Sequence, residues 1–191
     1  MTGFSVFEAK IGDKWLGLLK ELAPKLVRSA TLFDPDDAPQ APAFLRSVEA
    51  ASRVLGMETA PAPVRSDFEI EPVVESLGRN GDGALIVLPD GFNSFHRQAI
   101  IRAAESHRVP AIYPYREFAD DGGLMVYTVD VADQTRSAAA YADRILRGAN
   151  PAELPVQEPT KYQLIINLKT AKALGITFPP TLLVRADQVI E

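Results

Sequence analysis

The stretch Gly83-Ala-Leu-Ile-Val-Leu-Pro-Asp90 decides the fold. Ala84 to Leu88 is continuously apolar, with no polar residue in alternation, so both faces of that strand must be covered. Asn80-Gly-Asp-Gly83 turns the chain into the strand, and Pro89-Asp-Gly91 stops it. Upstream, Ile70, Val73, Val74 and Leu77 fall on one helical face, with Ser66 or Asp67 able to cap it. Downstream, Ile100, Ala103 and Ala104 mark a second helix, capped by Asn93 or Ser94, and Pro110-Ala-Ile-Tyr113 is the next strand. A helix, a doubly buried strand, a helix and another strand make the repeat of a parallel α/β sheet.

The repeat extends towards the N-terminus. Trp15, Leu18, Leu19 and Leu22 recur at i, i+3, i+4 and i+7, and Pro24 ends that helix. Ser29-Ala-Thr-Leu-Phe33 is a buried strand stopped by Asp34-Pro-Asp-Asp37. Phe44, Val48, Ala51 and Leu55 give a helix with Gly56 at its C-cap. Met57 to Val64 contains prolines and suits only an edge strand. Residues 10–120 therefore read as a doubly wound, Rossmann-like parallel sheet of four or five strands with helices on both faces.

The last third reads as a returning strand-helix tail. Gly122 to Val129 is a strand, and Ala138, Tyr141, Ala142 and Ile145 lie on a helix closed by Gly148. Asn150 to Pro159 is an extended connector, and Leu164-Ile-Ile166 is a short strand. Asn167 caps a helix from Leu168 to Leu174 that Gly175 stops, and Pro179-Pro180 opens a last helix running through Val184 to Ile190.

Composition excludes several functions. The 191 residues carry 20 Lys and Arg against 25 Asp and Glu, a formal charge of -5, so there is no basic footprint for nucleic acid. With no cysteine, disulfides and thiolate chemistry are ruled out, and two histidines, His96 and His107, cannot build a multi-histidine metal site. No Walker loop, dinucleotide fingerprint or Gly-x-Ser-x-Gly elbow occurs. Asp34-Pro-Asp36 could suggest an aspartyl nucleophile or a hard-metal cluster, but the same residues are favoured for turn geometry alone. His96 and His107 read as packed, surface or helix-end residues. An enzyme is not expected, nor a metal or cofactor.

Binding chemistry fits better. In open parallel sheets ligands sit beyond the carboxyl ends of the strands. Those ends are Phe33-Asp34, Pro89-Asp-Gly-Phe92 and Tyr113-Pro-Tyr-Arg116. Aromatic walls with a few charged groups suit a small zwitterionic or planar ligand. Tyr113 and Phe118 divide evenly between site and core by the usual burial of aromatics.

Several stretches together resemble one family. Ile11-Gly-Asp-Lys-Trp-Leu-Gly-Leu-Leu-Lys-Glu-Leu-Ala-Pro24, Leu32-Phe-Asp-Pro35, Gly83 to Asp90, Gly122-Gly-Leu-Met-Val-Tyr127 and Asn167 to Gly175 are similar to the second lobe of ABC-transporter substrate-binding proteins, including the binders of tryptophan and other aromatic amino acids. The resemblance implies a type I periplasmic-binding-protein fold, in which two α/β lobes close on a ligand. By position it implies the ligand-facing residues Asp34, Asp90, Phe92, Tyr115, Arg116 and the hinge-strand Tyr127. It makes residues 1–121 the ligand-binding lobe, and residues 122–191 the crossing strand and tail that pack partly on the first lobe. Thr2-Gly-Phe-Ser5 resembles the crossing between lobes, with Met1 directly before it, so most of the first lobe is expected to be missing from this chain.

The resemblance further implies a solute-binding component of a transport system, with a small-molecule ligand, an ABC permease as partner and a periplasmic or membrane-anchored location. Met1 to Lys10 has no basic and then apolar leader, so the chain as written is expected to stay in the cytoplasm. A homodimer could cover the face left by the first lobe. Two other classes share the fold: a small-molecule-sensing regulatory domain, and a flavodoxin- or receiver-like domain using Asp34 or Asp90. Acidic balance and the lack of a DNA-binding segment weigh against the former. The latter needs a lysine ending the later strand, where Tyr113-Pro-Tyr-Arg116 has none.

Overall fold

A computed structural model describes residues 2–6 and 8–191; the expectation attached to Met1 lies outside the described residues. Helix α1 (Ile11–Leu22) buries Trp15, Leu18, Leu19 and Leu22, as their spacing requires. After β1 (Arg28–Phe33), α2 (Ala41–Leu55) ends on Gly56 at φ 63, a left-handed conformation that glycine adopts without a Cβ clash. The chain continues through β2 (Glu58–Pro63), α3 (Asp67–Gly78), β3 (Gly83–Val87), α4 (Gly91–Phe95), α5 (Arg97–Ser106), β4 (Ala111–Tyr113), α6 (Arg116–Asp120) and β5 (Met125–Val129). Then come α7 (Val131–Leu146), a short 3-10 turn at Pro151–Glu153, β6 (Tyr162–Asn167), α8 (Leu168–Leu174), α9 (Pro180–Arg185) and β7 (Gln188–Ile190).

One sheet holds all seven strands in the order β2-β1-β3-β4-β5-β6-β7. Neighbours from β2 to β5 are parallel, β6 runs antiparallel to β5, and β7 is parallel to β6. The proline-bearing β2 lies at the edge, where missing N–H donors cost least. From β1 the chain steps outward to β2, then returns past β1 to β3. The gap between β1 and β3 is therefore the topological switch point, where such sheets receive ligands.

Every residue of β3 is buried, because the sheet is covered on both sides. Ala84, Ile86 and Leu88 join the core under α1 and α2, with Trp15, Phe44, Met125 and Leu182. Leu85 and Val87 join the core under α3 and α5, with Ile70, Val74, Ile100, Tyr113 and Phe118. Tyr113 and Phe118 are core residues, each 1% exposed and stacked with ring centres 4.8 Å apart.

Two expectations are corrected, and one short helix is added. Asp90, not Asn93 or Ser94, caps the helix after β3, because that helix starts at Gly91 and is a separate short turn before α5. Helix α6 follows β4 directly, and at five residues it is too short to show a periodicity. The last helix stops at Arg185 and does not reach Ile190. Asp187 draws the chain alongside β6: its N–H donates to the Leu164 carbonyl at 2.9 Å, and its carboxylate accepts from the Leu164 N–H at 2.8 Å. The segment beyond it becomes β7.

Asn167 and Gly175 cap α8 as their residue types require, with the Asn167 side chain accepting from the Thr170 N–H. Helix α7 differs from its neighbours in having no buried residue. One face packs on the N-terminal segment and the connector before β6. The Phe4 and Tyr141 rings meet edge-on at 4.9 Å, the Tyr141 hydroxyl donates to the Pro155 carbonyl at 3.2 Å, and Gln134 donates to the Ser5 carbonyl.

Candidate binding site

The loops after β1 and β3 are stitched together through one carboxylate. Asp90 Oδ1 accepts from the Asn93 N–H at 2.6 Å, the bond that caps α4. Its Oδ2 accepts from Asn93 Nδ2 at 2.9 Å and from the Asp34 N–H at 3.2 Å. Asn93 Nδ2 also donates to the carbonyls of Leu88, at 3.0 Å, and Leu32, at 3.2 Å. Three oxygens around that nitrogen fix which end of the amide faces them. Asp90 is 5% exposed. Burial pushes its carboxyl up to about 6; the N–H donors of Asn93 and Asp34 oppose this, and the charges of Asp37 and Asp34 add to it.

The other acids of the loop face outward. Asp34 is half-buried, and its Oδ1 accepts from the Asp36 N–H at 2.9 Å, the Asx turn expected of Asp-Pro-Asp. Asp36 pairs with Arg65 at 3.0 Å. The exposed Asp37 accepts from the Phe92 N–H at 3.0 Å through Oδ2. A Cβ at position 91 would lie 2.6 Å from that oxygen, so a larger residue there would push the exposed carboxylate aside. Gln40 ties the same loops together again by donating to the Pro89 carbonyl at 2.8 Å.

Aromatic side chains border the acids. Phe92 is half-buried, with its ring 4.3 Å from the imidazole of His96, and the 82% exposed Phe95 meets that imidazole edge-on at 5.0 Å. Tyr115, just beyond β4, is half-buried; burial raises its phenol above the ordinary range, and the charges of Asp90, Glu117 and Asp37 raise it further. Tyr115 therefore shares its surroundings with the acids of the first two loops. Beside it lies a cavity of about 340 Å³ lined by Ser94, Arg97, Tyr115, Glu117 and Phe118.

Asp34, Asp90 and Phe92 thus come together at the switch point, and Tyr115, just beyond β4, lies within range of the Asp90 and Asp37 charges. Arg116 is exposed on the first turn of α6, with Asp120 3.7 Å away. Tyr127 packs on the opposite side of the sheet, against the core of α1, stacked on Tyr162 at 5.4 Å, with its carbonyl accepting from Trp15 Nε1 at 2.9 Å. Asp37 and Asn93 are the residues that sequence reading missed. Asp37 was visible in the Asp-Pro-Asp-Asp run, but nothing local links it to position 92. Asn93 reads as a helix cap until the fold brings the ends of β1 and β3 to it.

The arrangement offers negative charge beside stacking surface: a place for a cationic group attached to a planar body. Both Asp90 oxygens already accept from protein donors, so its outward role is the field it adds. Among the described residues, no cluster of three or more His, Asp or Glu side chains is arranged to hold a metal ion.

Comparison with known proteins agrees with the architecture. A sequence model of the family described as ABC transporter substrate binding protein matches residues 1–190. The tyrosine-binding protein of Clostridioides difficile (strain R20291) is 22% identical over 164 residues, covering 86% of this chain and 47% of that protein. A conserved domain protein from Vibrio cholerae superposes with a TM-score of 0.84 at 22% identity, covering 98% of this chain and 62% of the other. An ABC domain in complex with L-Trp from Streptococcus pneumonia gives 0.80 at 23% identity, covering 99% and 64%. This chain spans about half the length of the curated relative and under two thirds of each solved chain.

Proposed function

The chain belongs to the ABC transporter substrate-binding protein family, and on that premise we propose that it binds a small aromatic amino acid or amine at the β1–β3 switch point. The carrying observation is the joining of Asp34 to buried Asp90 and of Asp37 to Phe92, with Tyr115 in the field of Asp90 and Asp37. The ligand ammonium sits against the carboxylates of Asp34 and Asp37, and its ring lies along Phe92 and Tyr115. Asp90 sets the loop geometry and deepens the negative potential from beneath. Arg116, on the rim, meets a ligand carboxylate, and Tyr127, packed on the other side of the sheet, takes no part in this site. The ligands named for two relatives, tyrosine and L-Trp, are consistent with this chemistry.

In this reading residues 1–121 hold the ligand and residues 122–191 carry the chain back towards a second lobe. The protein delivers solute to an ABC permease from an extracytoplasmic location and performs no chemistry on it. No helix among the described residues is long and apolar enough to cross a membrane. A thermal-shift panel of L-tryptophan, L-tyrosine, L-phenylalanine, L-leucine and L-alanine tests the ligand class. Saturable stabilisation by the aromatic members alone supports it, since a ligand bound to the folded state stabilises by mass action. Equal response to L-leucine, or none to any aromatic member, contradicts it.

A further inference from the structure

We propose that the chain carries a second binding site, for a carboxylate attached to an apolar body, at the pole of the sheet opposite the switch point. A cavity of about 620 Å³ lies there, within the size range of small-molecule sites. The loops entering β1, β3 and β4 line it through Lys25, Gly78 and Arg108, and the turn after α8 closes it through Ile176. Because these loops precede parallel strands, they lie at the ends away from Asp34, Asp90 and Tyr115. Leu174, beside that turn, is in the core with Trp15 and Leu22, so this part of the tail has its partner within the chain.

A local rule is broken at Arg108. After α5 its N–H donates to the Glu105 carbonyl at 3.1 Å, and the Val109 N–H donates to the Ala104 carbonyl at 2.8 Å. That pair of bonds ends a helix on a left-handed residue, a place that favours glycine. Here the residue is Arg108, at φ 53, the one non-glycine with positive φ among the described residues. Helices α2 and α8 end on Gly56 and Gly175, at φ 63 and 70. A Cβ is strained in that conformation, so helix termination alone would select glycine. Gly78 pins the turn in place, since a Cβ there would lie 2.5 Å from the His107 carbonyl oxygen. An arginine where the backbone favours glycine points to a use for its side chain.

Charge and lining define the ligand. Lys25 and Arg108 are both exposed, and among the described residues neither has an ion-pair partner. The acids bordering these loops are engaged elsewhere, Glu71 with His107 at 2.5 Å and Asp82 with Arg28 at 2.7 Å. Two such cations on one cavity favour an anion, in a chain whose formal charge is -5. A guanidinium fork matches the two oxygens of a carboxylate, and an ammonium adds a point charge beside it. Pro24, Leu174 and Ile176 supply an apolar wall that a bare anion would leave unused.

The proposal does not depend on the switch-point reading, because its residues lie at the other pole and report through different amides. Amide NMR titrations of the intact chain with octanoate, acetate and octylammonium test it. Octanoate is expected to give saturable shifts around Lys25, Gly78, Arg108 and Ile176, with a dissociation constant of about 1 mM or tighter. Acetate lacks the apolar body and octylammonium the negative charge, so neither saturates there. Arg108→Gly weakens octanoate binding about tenfold, the value of a charge-assisted contact. Because glycine relaxes the turn, the same variant keeps or raises the unfolding temperature, which separates lost binding from lost fold. Arg108→Asn, which also tolerates the left-handed region, shows the same loss of binding. Absence of saturable octanoate shifts at those amides overturns the proposal, as does equal saturation by acetate or octylammonium, or unchanged affinity in both Arg108 variants.

Discussion

Asn93 holds Asp90 by both carboxylate oxygens, through its main-chain N–H at 2.6 Å from Oδ1 and its side-chain Nδ2 at 2.9 Å from Oδ2. The same Nδ2 reaches the carbonyls ending β1 and β3, so one residue couples the acid to the sheet's switch point. Asn93→Ala removes these side-chain bonds, but each acceptor keeps one main-chain donor, Leu88 N–H on Leu32, Asp90 N–H on Leu88 and Asp34 N–H on Asp90, so the loss is about 1–2 kcal/mol. Urea unfolding of the variant at neutral pH measures it, and an unchanged midpoint would show that the bonds contribute nothing net.

Asp90 itself gives a pH signature. Its carboxyl is raised from 3.8 to about 6 by burial. The folded state therefore holds a proton that the unfolded chain has released, and this contribution is full below pH 3.8 and lost as pH rises through about 6. The loss is on the order of 3 kcal/mol. Asp90→Asn keeps a capping acceptor and carries no charge. Its stability relative to the parent should therefore grow between pH 4 and pH 7.5, by an amount of that order. Urea titrations of both proteins at the two pH values check this, and a constant difference would refute the buried-carboxylate account.

Gly83 sets the packing of the strand that decides the fold. A Cβ there would lie 2.5 Å from the Leu77 carbonyl oxygen and 2.9 Å from its Cα. Both atoms belong to backbone, so Gly83→Ala must part α3 from β3, at a cost of about 2 kcal/mol or more. Denaturant midpoints of the variant and parent test this; near-identity would mean the strand start yields freely.

Legibility in the sequence depends on range. Ala84 to Leu88 announces a doubly covered strand because its own five side chains are all apolar, and Gly56, Asn167 and Gly175 announce helix ends by local chemistry. Strand β7 was hidden because Val184 to Ile190 has helical spacing and only the distant Leu164 pulls it straight. Asp90 and Phe92 stood out as strand-end residues. That Asp90 faces inward, and that Asp37 reaches Phe92, depends on contacts more than fifty positions apart along the chain, which no local pattern encodes.

Ring truncation separates the aromatic groups. Phe92→Ala and Tyr115→Ala should each weaken binding of an aromatic amino acid about tenfold, the value of one stacked ring, without loss of fold. Isothermal titration at high protein concentration reads the change. Unaltered affinity in both would remove the rings from the site.

The most direct test of the central claim is a two-dimensional amide NMR titration of the intact chain with L-tryptophan, beside the Asp37→Asn variant. Binding at the switch point predicts saturable shifts concentrated at residues 34–37, 91–93 and 115–117, and a weaker response in the variant. No saturable shifts up to the ligand's solubility limit, or shifts confined to α7 and the cavity it forms with Phe4 and Lys161, would contradict it.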